Sequence, residues 1–221
     1  MTPRGCASAR RMWRYGRLLA VVAVVAVGCT HAVGGMAVRS APLPDENSQS
    51  PVDVDAVLLD RRQMQALTGA GEDLTPIPGM ESKAPVDIDH LRKSVPAQCT
   101  WLVAETEVFG GDVEEFHKTT FQNPPDGALI SQAAAGYRSA DVAREAFGGL
   151  VGSIQRCRDS DAGPAMVGPV TTTVESVRTR PGGCGRDYRL KSAVLIEVTF
   201  CAFSDAVSEV VMANIVANVP G

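Results

Sequence analysis

Apolar and polar positions fall into three kinds of pattern along the chain: one unbroken apolar run, several helical stripes and several alternating stretches. The run is residues 18–27, Leu-Leu-Ala-Val-Val-Ala-Val-Val-Ala-Val. As a helix it rises about 15 Å, roughly half of a hydrocarbon core. From Val52 onward the spacing changes. Val54, Val57, Leu58, Met64 and Leu67 recur at mostly helical intervals, and Thr68-Gly69-Ala70-Gly71 stops the stripe, so a helix is predicted from about Asp55 to Leu67. Leu74-Thr-Pro-Ile-Pro-Gly-Met is too rich in proline for a central strand. Residues 82–98, with Pro85 and Pro96, read as loop with one turn of helix near Asp89. Trp101 to Val108 and Ala128 to Tyr137 are the first strand candidates.

The clearest helix opens at Ser139 as N-cap, with Asp141 in its first turn. Val142, Ala146, Phe147, Leu150, Val151 and Ile154 form one apolar stripe leading to Cys157. Gly148, Gly149 and Gly152 weaken this helix by roughly 1 kcal/mol each against Ala, and close approach of the helix to a sheet is the expected reason. Pro169 to Arg178, Arg186 to Lys191 and Ala193 to Phe203 read as three strands. In the last, Val194, Ile196, Val198 and Phe200 alternate with Leu195, Glu197 and Thr199, as expected when one sheet face is covered. Asp205 caps a final helix that places Val207, Val210, Val211 and Ile215 at helical spacing and ends near Asn218. The order of helix, strands, helix, strands, helix predicts an α+β fold: an antiparallel sheet packed by helices.

Charge changes the reading of the first segment. Arg4, Arg10, Arg11, Arg14 and Arg17 precede residue 28 with no acidic residue among them. Followed by the short apolar run, they read as an export signal. Ala26-Val27-Gly28-Cys29 resembles a bacterial lipobox, with Ala26 where Leu is commonest. The resemblance implies cleavage between Gly28 and Cys29 and a diacylglyceryl (palmitate-type) anchor on Cys29. Arg10-Arg11 followed by Met-Trp-Arg fits a twin-arginine signal poorly. The expected layout is therefore a lipoprotein signal peptide over 1–28, a lipidated Cys29 and flexible tether over 29–51, and a globular domain over 52–221. Each buried methylene contributes about 0.8 kcal/mol, so two acyl chains suffice to hold a protein at a membrane. The tether contains Pro42, Pro44 and Pro51 among polar residues and has no apolar period. The formal charge of −4 for the chain becomes −4 − 5 = −9 once the five arginines are removed. Such an acidic protein is a poor match for nucleic acid.

With Cys6 in the signal and Cys29 acylated, Cys99, Cys157, Cys184 and Cys201 remain. An even count beyond an export signal reads as disulfides. No two of them have the close spacing of a zinc site or a redox pair. Four cysteines permit three pairings. The one preferred here is Cys99–Cys157 with Cys184–Cys201, closing loops worth roughly 4 and 3 kcal/mol in the chain-entropy treatment.

Several of these features come together as a resemblance. A helix with Leu58-Leu59 is ended by Thr68-Gly69; Pro96-Ala-Gln-Cys99 follows; Tyr137-Arg-Ser-Ala-Asp-Val-Ala runs through Ala146-Phe147 to Cys157; and Cys184 to Cys201 encloses a Val-rich strand before an amphipathic helix. Over about residues 53–220 this arrangement resembles the PknH-like extracellular sensor domain of mycobacteria and related actinobacteria. The resemblance implies an α+β fold, two disulfides in the sequential pairing, and a cleft for an unidentified ligand. The chain departs from the pattern at Ile154, where Trp is frequent, and at Ser192-Ala193, where Asn is frequent. The sequence carries neither a kinase domain nor a spanning helix beside this domain, so the expectation is a sensor-like domain tethered by lipid at the extracytoplasmic face of the cell membrane.

Candidate chemistry is sparse. There is no Gly-x-Ser-x-Gly elbow, no His-Glu-x-x-His and no nucleotide fingerprint. An envelope hydrolase would need Glu114, Glu115 and His117, or Asp87 and His90, to converge in one pocket. Asp87-Ile-Asp89-His90 also has the composition of a cation site, with loop and cap chemistry as the simpler reading. Asp53 and Asp55 favour a helix N-terminus. Arg178, Arg180, Arg186 and Arg189 gather around Cys184 and could meet an anionic envelope ligand. No catalytic, metal or cofactor residue is assigned. The expected function is ligand binding or sensing in the envelope, with an unknown small-molecule or envelope ligand. The alternative is an interaction or assembly accessory for an envelope protein partner, recognised by an exposed apolar patch instead of a cleft.

Overall fold

The structure, a computed structural model, describes residues 50–220. The expected signal peptide, Cys29 and all of the tether except Ser50 and Pro51 lie outside the described residues.

The chain enters at two short helices, α1 (Val54–Val57) and α2 (Arg61–Thr68), where the apolar spacing predicts one. The break has a local and a distant cause. Asp60 accepts from the Gln63 backbone N–H while the Gln63 side chain accepts from Asp60 N–H, a capping box that starts a new helix. Between the helices, Leu59 donates its N–H to Oε1 of buried Gln132 at 3.0 Å and accepts from its Nε2 at 2.6 Å. A buried side-chain amide thus satisfies one peptide unit held out of the helix. Asp53 accepts from the N–H groups of Asp55 and Ala56 and so caps α1.

Strand β1 (Thr75–Pro76) lies at a sheet edge, where a proline removes no ladder bond from a central position. A single turn, α3 (Asp89–Arg92), interrupts the loop that follows. Trp101 to Val108 is not a strand: it forms the end of a 3₁₀ turn (Ala97–Leu102) and then α4 (Glu105–Phe109). Cys99 at the start of this segment is bonded to Cys157, which fixes it against a helix instead of in a ladder. The strand not anticipated is β2 (Glu115–Asn123), which pairs with β3 (Ala128–Gly136).

Helix α5 (Ala140–Arg158) begins at Ser139, whose Oγ accepts from Val142 N–H, and ends beside the disulfide. It buries Ala143, Phe147, Leu150, Ile154 and Cys157; a Leu, Ile or Phe so placed contributes about 2 kcal/mol. Gly148 and Gly149 face solvent with nothing within 4 Å of where a Cβ would stand. Close packing on a sheet therefore does not account for them. After α6 (Gly163–Val167), the stretch expected as one strand is a hairpin, β4 (Val170–Thr172) and β5 (Ser176–Thr179), with Val174 at its tip 89% exposed. Strands β6 (Cys184–Lys191) and β7 (Val194–Cys201) pair with Cys184 opposite Cys201, and the two are disulfide-bonded. Helix α7 (Asp205–Asn218) starts one residue after Ser204; Lys191 donates to the carbonyls of Val216 and Val219 at its other end.

The strands form one antiparallel sheet in the order β1-β2-β3-β7-β6-β5-β4. Helices cover both of its faces, so the alternation in β7 does not mark a wet side. Ile196, Val198 and Phe200 pack with α1, α2 and α7, while Leu195 packs with α4 and α5 on the other face. Both disulfides expected from the sequence are present in the preferred pairing.

Candidate functional site: a cleft on the α5 face of the sheet

The face that carries α5 changes character along the strands. Its first row across the sheet is Phe116, Ala135, Leu195 and Leu190, all apolar and buried. The next is Lys118, Ala133, Glu197 and Tyr188. The third is Thr120, Ser131, Thr199 and Arg186, wholly polar, and beyond it Leu129 lies beside Cys201 and Cys184. Helix α5 covers the apolar end. Over the polar end lies a cleft of about 500 Å³. Its outer wall is irregular chain, Gly79–Ser82 with Val86 and Ile88, followed by Trp101–Glu105.

Two charged pairs hold this cleft in shape. Lys118 on β2 is paired with Glu105 at the start of α4. The second oxygen of Glu105 accepts from Val86 N–H at 2.8 Å, so one carboxylate ties sheet, helix and outer wall together. Arg186 on β6 stacks its guanidinium 5.6 Å from the centre of the Trp101 ring and donates to the Leu102 carbonyl at 3.0 Å. Glu197 lies 3.9 Å from Arg186 and accepts from Thr199 Oγ1 at 2.5 Å and from Tyr188 OH at 3.4 Å. Burial works against the Arg186 cation, but Tyr188 and Glu197 outweigh it and hold the guanidinium pKa above its ordinary value. Burial first, and then the Glu197 charge, push the Tyr188 phenol well above its usual range. Each cation of the cleft thus faces a carboxylate of its own, Lys118 facing Glu105 and Arg186 facing Glu197.

The apolar part of the cleft is exposed. Met80, Val86, Ile88 and Leu129 are 47%, 49%, 41% and 40% accessible, and all four line the mouth. The side chain of Asp87 faces a different task. It accepts from the backbone N–H and hydroxyl of Thr106 and from Arg92, at 3.0, 2.7 and 2.6 Å. Burial tends to raise its pKa, and the Thr106 and Arg92 bonds more than reverse this, leaving it lowered. With Ile88 N–H bonded to the Val103 carbonyl at 2.8 Å, this fastens the outer wall to the turn before α4.

The candidate residues named from the sequence do not converge. Glu115 accepts from Val54 N–H at 3.3 Å, and His117 stands 2.9 Å from Asp55 and 3.3 Å from Glu81. Asp87 is occupied as described, and His90 is exposed on α3. No group of three or more His, Cys, Asp or Glu side chains is placed to hold a metal among the described residues. The arginines part company as well. Arg178 bonds Glu209, and Arg180 bonds Asp187 and Asp205 on the α7 face, whereas Arg186 enters the cleft from the other. Neighbours in a strand point to opposite faces, so four arginines close in sequence do not make one anionic site. The residues missed were Lys118, Glu105 and Trp101. A usable signal was there: a lone Glu197 inside Val-Leu-Ile-Glu-Val-Thr-Phe needs a partner when that strand is buried.

Comparison with known proteins identifies the family and the fold. Residues 50–218 match the family described as the PknH-like extracellular domain. The chain belongs to that family. The fold is similar to the crystal structure of the extracellular domain of PknH from Mycobacterium tuberculosis, with a TM-score of 0.50 and 15% sequence identity. That likeness covers 76% of this chain and 97% of the other. No curated protein sequence matches the chain. Among the described residues no helix is long and apolar enough to cross a membrane.

Proposed function

We propose that this protein is a lipid-anchored, extracytoplasmic ligand-binding lipoprotein with a sensor-like, non-catalytic domain. Cys29 carries the diacylglyceryl and acyl chains, residues up to about Pro51 serve as the tether, and the cleft takes a small molecule at the outer face of the cell membrane. Support for the location comes from the family description, an extracellular domain, together with two disulfides, which persist in oxidising compartments. The observation that carries the binding reading is the cleft itself. A sheet face whose rows turn polar on leaving α5 encloses about 500 Å³, within the usual range of small-molecule pockets of about 300–1,000 Å³. Glu115, His117 and Asp87 are engaged in separate structural bonds and His90 is exposed on α3, a dispersal that supports binding over hydrolysis. The exposed lip of Met80, Val86, Ile88 and Leu129 favours a second reading, an envelope protein partner that covers it.

Native mass spectrometry of the protein extracted gently from its own membrane fraction tests the proposal. The expected result is a mass with acyl chains on Cys29 and a reproducible small molecule retained in the domain. An unacylated Cys29 overturns the anchor. An empty domain that co-purifies with another envelope protein overturns the small-molecule reading in favour of the partner.

A further inference from the structure

The cleft combines features that narrow the chemistry of what enters it. Its lining contains three carboxylates, Glu81, Glu105 and Glu197, and two cations, Lys118 and Arg186. Each cation is already engaged: Lys118 with Glu105, and Arg186 with Glu197, the Leu102 carbonyl and the Trp101 ring. An anionic head group would find no free cation among these lining residues. To bind, it would have to pull Lys118 or Arg186 away and leave a carboxylate partly buried without its partner, which is costly. A cationic head group faces the mirror problem at Glu105 and Glu197, and the third carboxylate, Glu81, stands 3.3 Å from His117 at the exposed rim. An uncharged group bearing several hydroxyls faces neither. The hydroxyls of the polar row already donate, Thr120 to Ser131 at 3.1 Å, Ser131 to the Thr119 carbonyl at 3.5 Å and Thr199 to Glu197 at 2.5 Å. Toward a ligand they therefore present acceptor lone pairs at short spacing across three strands, to which the hydroxyls of a polyol can donate. The indole N–H of Trp101, a lining residue of the outer wall, is buried without a partner and is a donor left unmatched.

At the mouth the surface changes from this polar floor to exposed aliphatic side chains. Met80, Val86 and Ile88 project from the outer wall and Leu129 from the sheet edge of the cleft, all at least 40% accessible. A polyol without a tail leaves that lip in water; a hydrocarbon without a head takes the polar floor out of water and offers its hydroxyls and the Trp101 N–H no hydrogen-bond partner. We infer that the ligand is an uncharged amphiphile, with a polyhydroxyl head seated on the Thr120–Ser131–Thr199 row between the two ion pairs and an alkyl or acyl chain lying along Met80, Val86, Ile88 and Leu129. The inference rests on the proposal that the cleft is a ligand site.

Octyl β-D-glucoside, titrated below its micellar concentration, is the probe. Trp13 and Trp101 are the two tryptophans of the chain; in the protein from Cys29 onward, emission therefore reports Trp101 in the cleft wall alone. The expected result is a saturable emission change with octyl glucoside, at least tenfold weaker with glucose and at least tenfold weaker in Ile88→Asp, whose side chain is exposed and so leaves the fold intact. Saturation by octyl sulfate or octyltrimethylammonium, with no response to the glucoside, overturns the uncharged head while leaving the cleft a ligand site. Unchanged affinity in Ile88→Asp overturns the placement of the chain. No saturable response to any of the three amphiphiles overturns both the ligand class and the binding reading beneath it.

Discussion

The two faces of the sheet answer the same problem differently. Against one face, α1, α2 and α7 seal a continuous core that includes Met64, Ile130, Ile196, Val198 and Ile215, and the polar groups there are absorbed singly: Gln132 by Leu59, Asp187 by Arg180 and Ser208. Against the other, α5 seals the row of Phe116, Ala135 and Leu195 and then stops, leaving the polar rows to irregular chain. On the sealed face, polar atoms serve to shape the backbone. On the open face, Lys118, Glu105, Arg186 and Glu197 hold charge beside a cavity at a cost in desolvation that an aliphatic row would avoid. The difference teaches how one sheet can pair a fully packed face with a polar, open one, and it can be broken from either side.

The largest expected effect comes from uncoupling the open face. Cys99–Cys157 closes a loop of 58 residues and pins the turn that carries Trp101 to the end of α5. Cys99→Ser with Cys157→Ser is expected to lower stability by up to about 4 kcal/mol, read as a drop in the urea midpoint. Hydrogen exchange should show the segment of Trp101 and the outer wall opening before the strands do. Next is the sealed face. Gln132→Leu keeps the volume but leaves Leu59 N–H and C=O buried without partners, an expected loss of about 3 kcal/mol. Because the cleft is on the other side of the sheet, the Trp101 emission of the folded variant should stay unchanged. A shifted spectrum would show that the faces are mechanically linked.

What the sequence discloses follows the same division. Elements that bury a stripe announce themselves: Val142, Phe147, Leu150 and Ile154 gave α5, and Val194, Ile196 and Val198 gave β7, with the cysteine pairing consistent in both. Elements that serve the cleft do not. Strand β2 reads Glu-Phe-His-Lys-Thr-Thr-Phe-Gln-Asn because its inward positions, Lys118 and Thr120, face a cavity, and so its period-two pattern lacks the apolar half. Trp101 to Val108 carries β-prone residues, yet a disulfide and contacts with α5 hold it as a turn and a helix. The break at Leu59 depends on Gln132, 73 residues away, and no local window contains that information.

A smaller effect, of opposite sign, concerns the solvent side of α5. Gly148 and Gly149 have helical neighbours, negative φ and open space around them. Replacing both with Ala is expected to raise stability by about 2 kcal/mol together, seen as a higher thermal midpoint. If the lid of the apolar rows is stiffened without reaching the cleft, octyl glucoside affinity will be the same in the double variant and in its parent. A changed affinity would make helix flexibility part of the open face.

The smallest effect tests how charge fastens the outer wall. The folded pKa of Asp87 lies below its ordinary value of 3.8, because bonds from Thr106 and Arg92 outweigh the opposing effect of burial. A carboxylate depressed in this way contributes stability that is fully present above its unfolded pKa and is lost as pH falls through the lower folded value. Asp87→Asn should therefore cost on the order of 1 kcal/mol at pH 6, with the difference from the parent shrinking as pH falls below about 4. Thermal unfolding of the two proteins from pH 6 to pH 2 measures this directly. Hydrogen exchange at Ile88, whose N–H bonds the Val103 carbonyl across the same fastening, assigns the loss to the wall instead of the sheet. If the difference between variant and parent is the same at every pH, the titration of Asp87 does not set the strength of the fastening, and the open face owes less to electrostatics than its two ion pairs suggest.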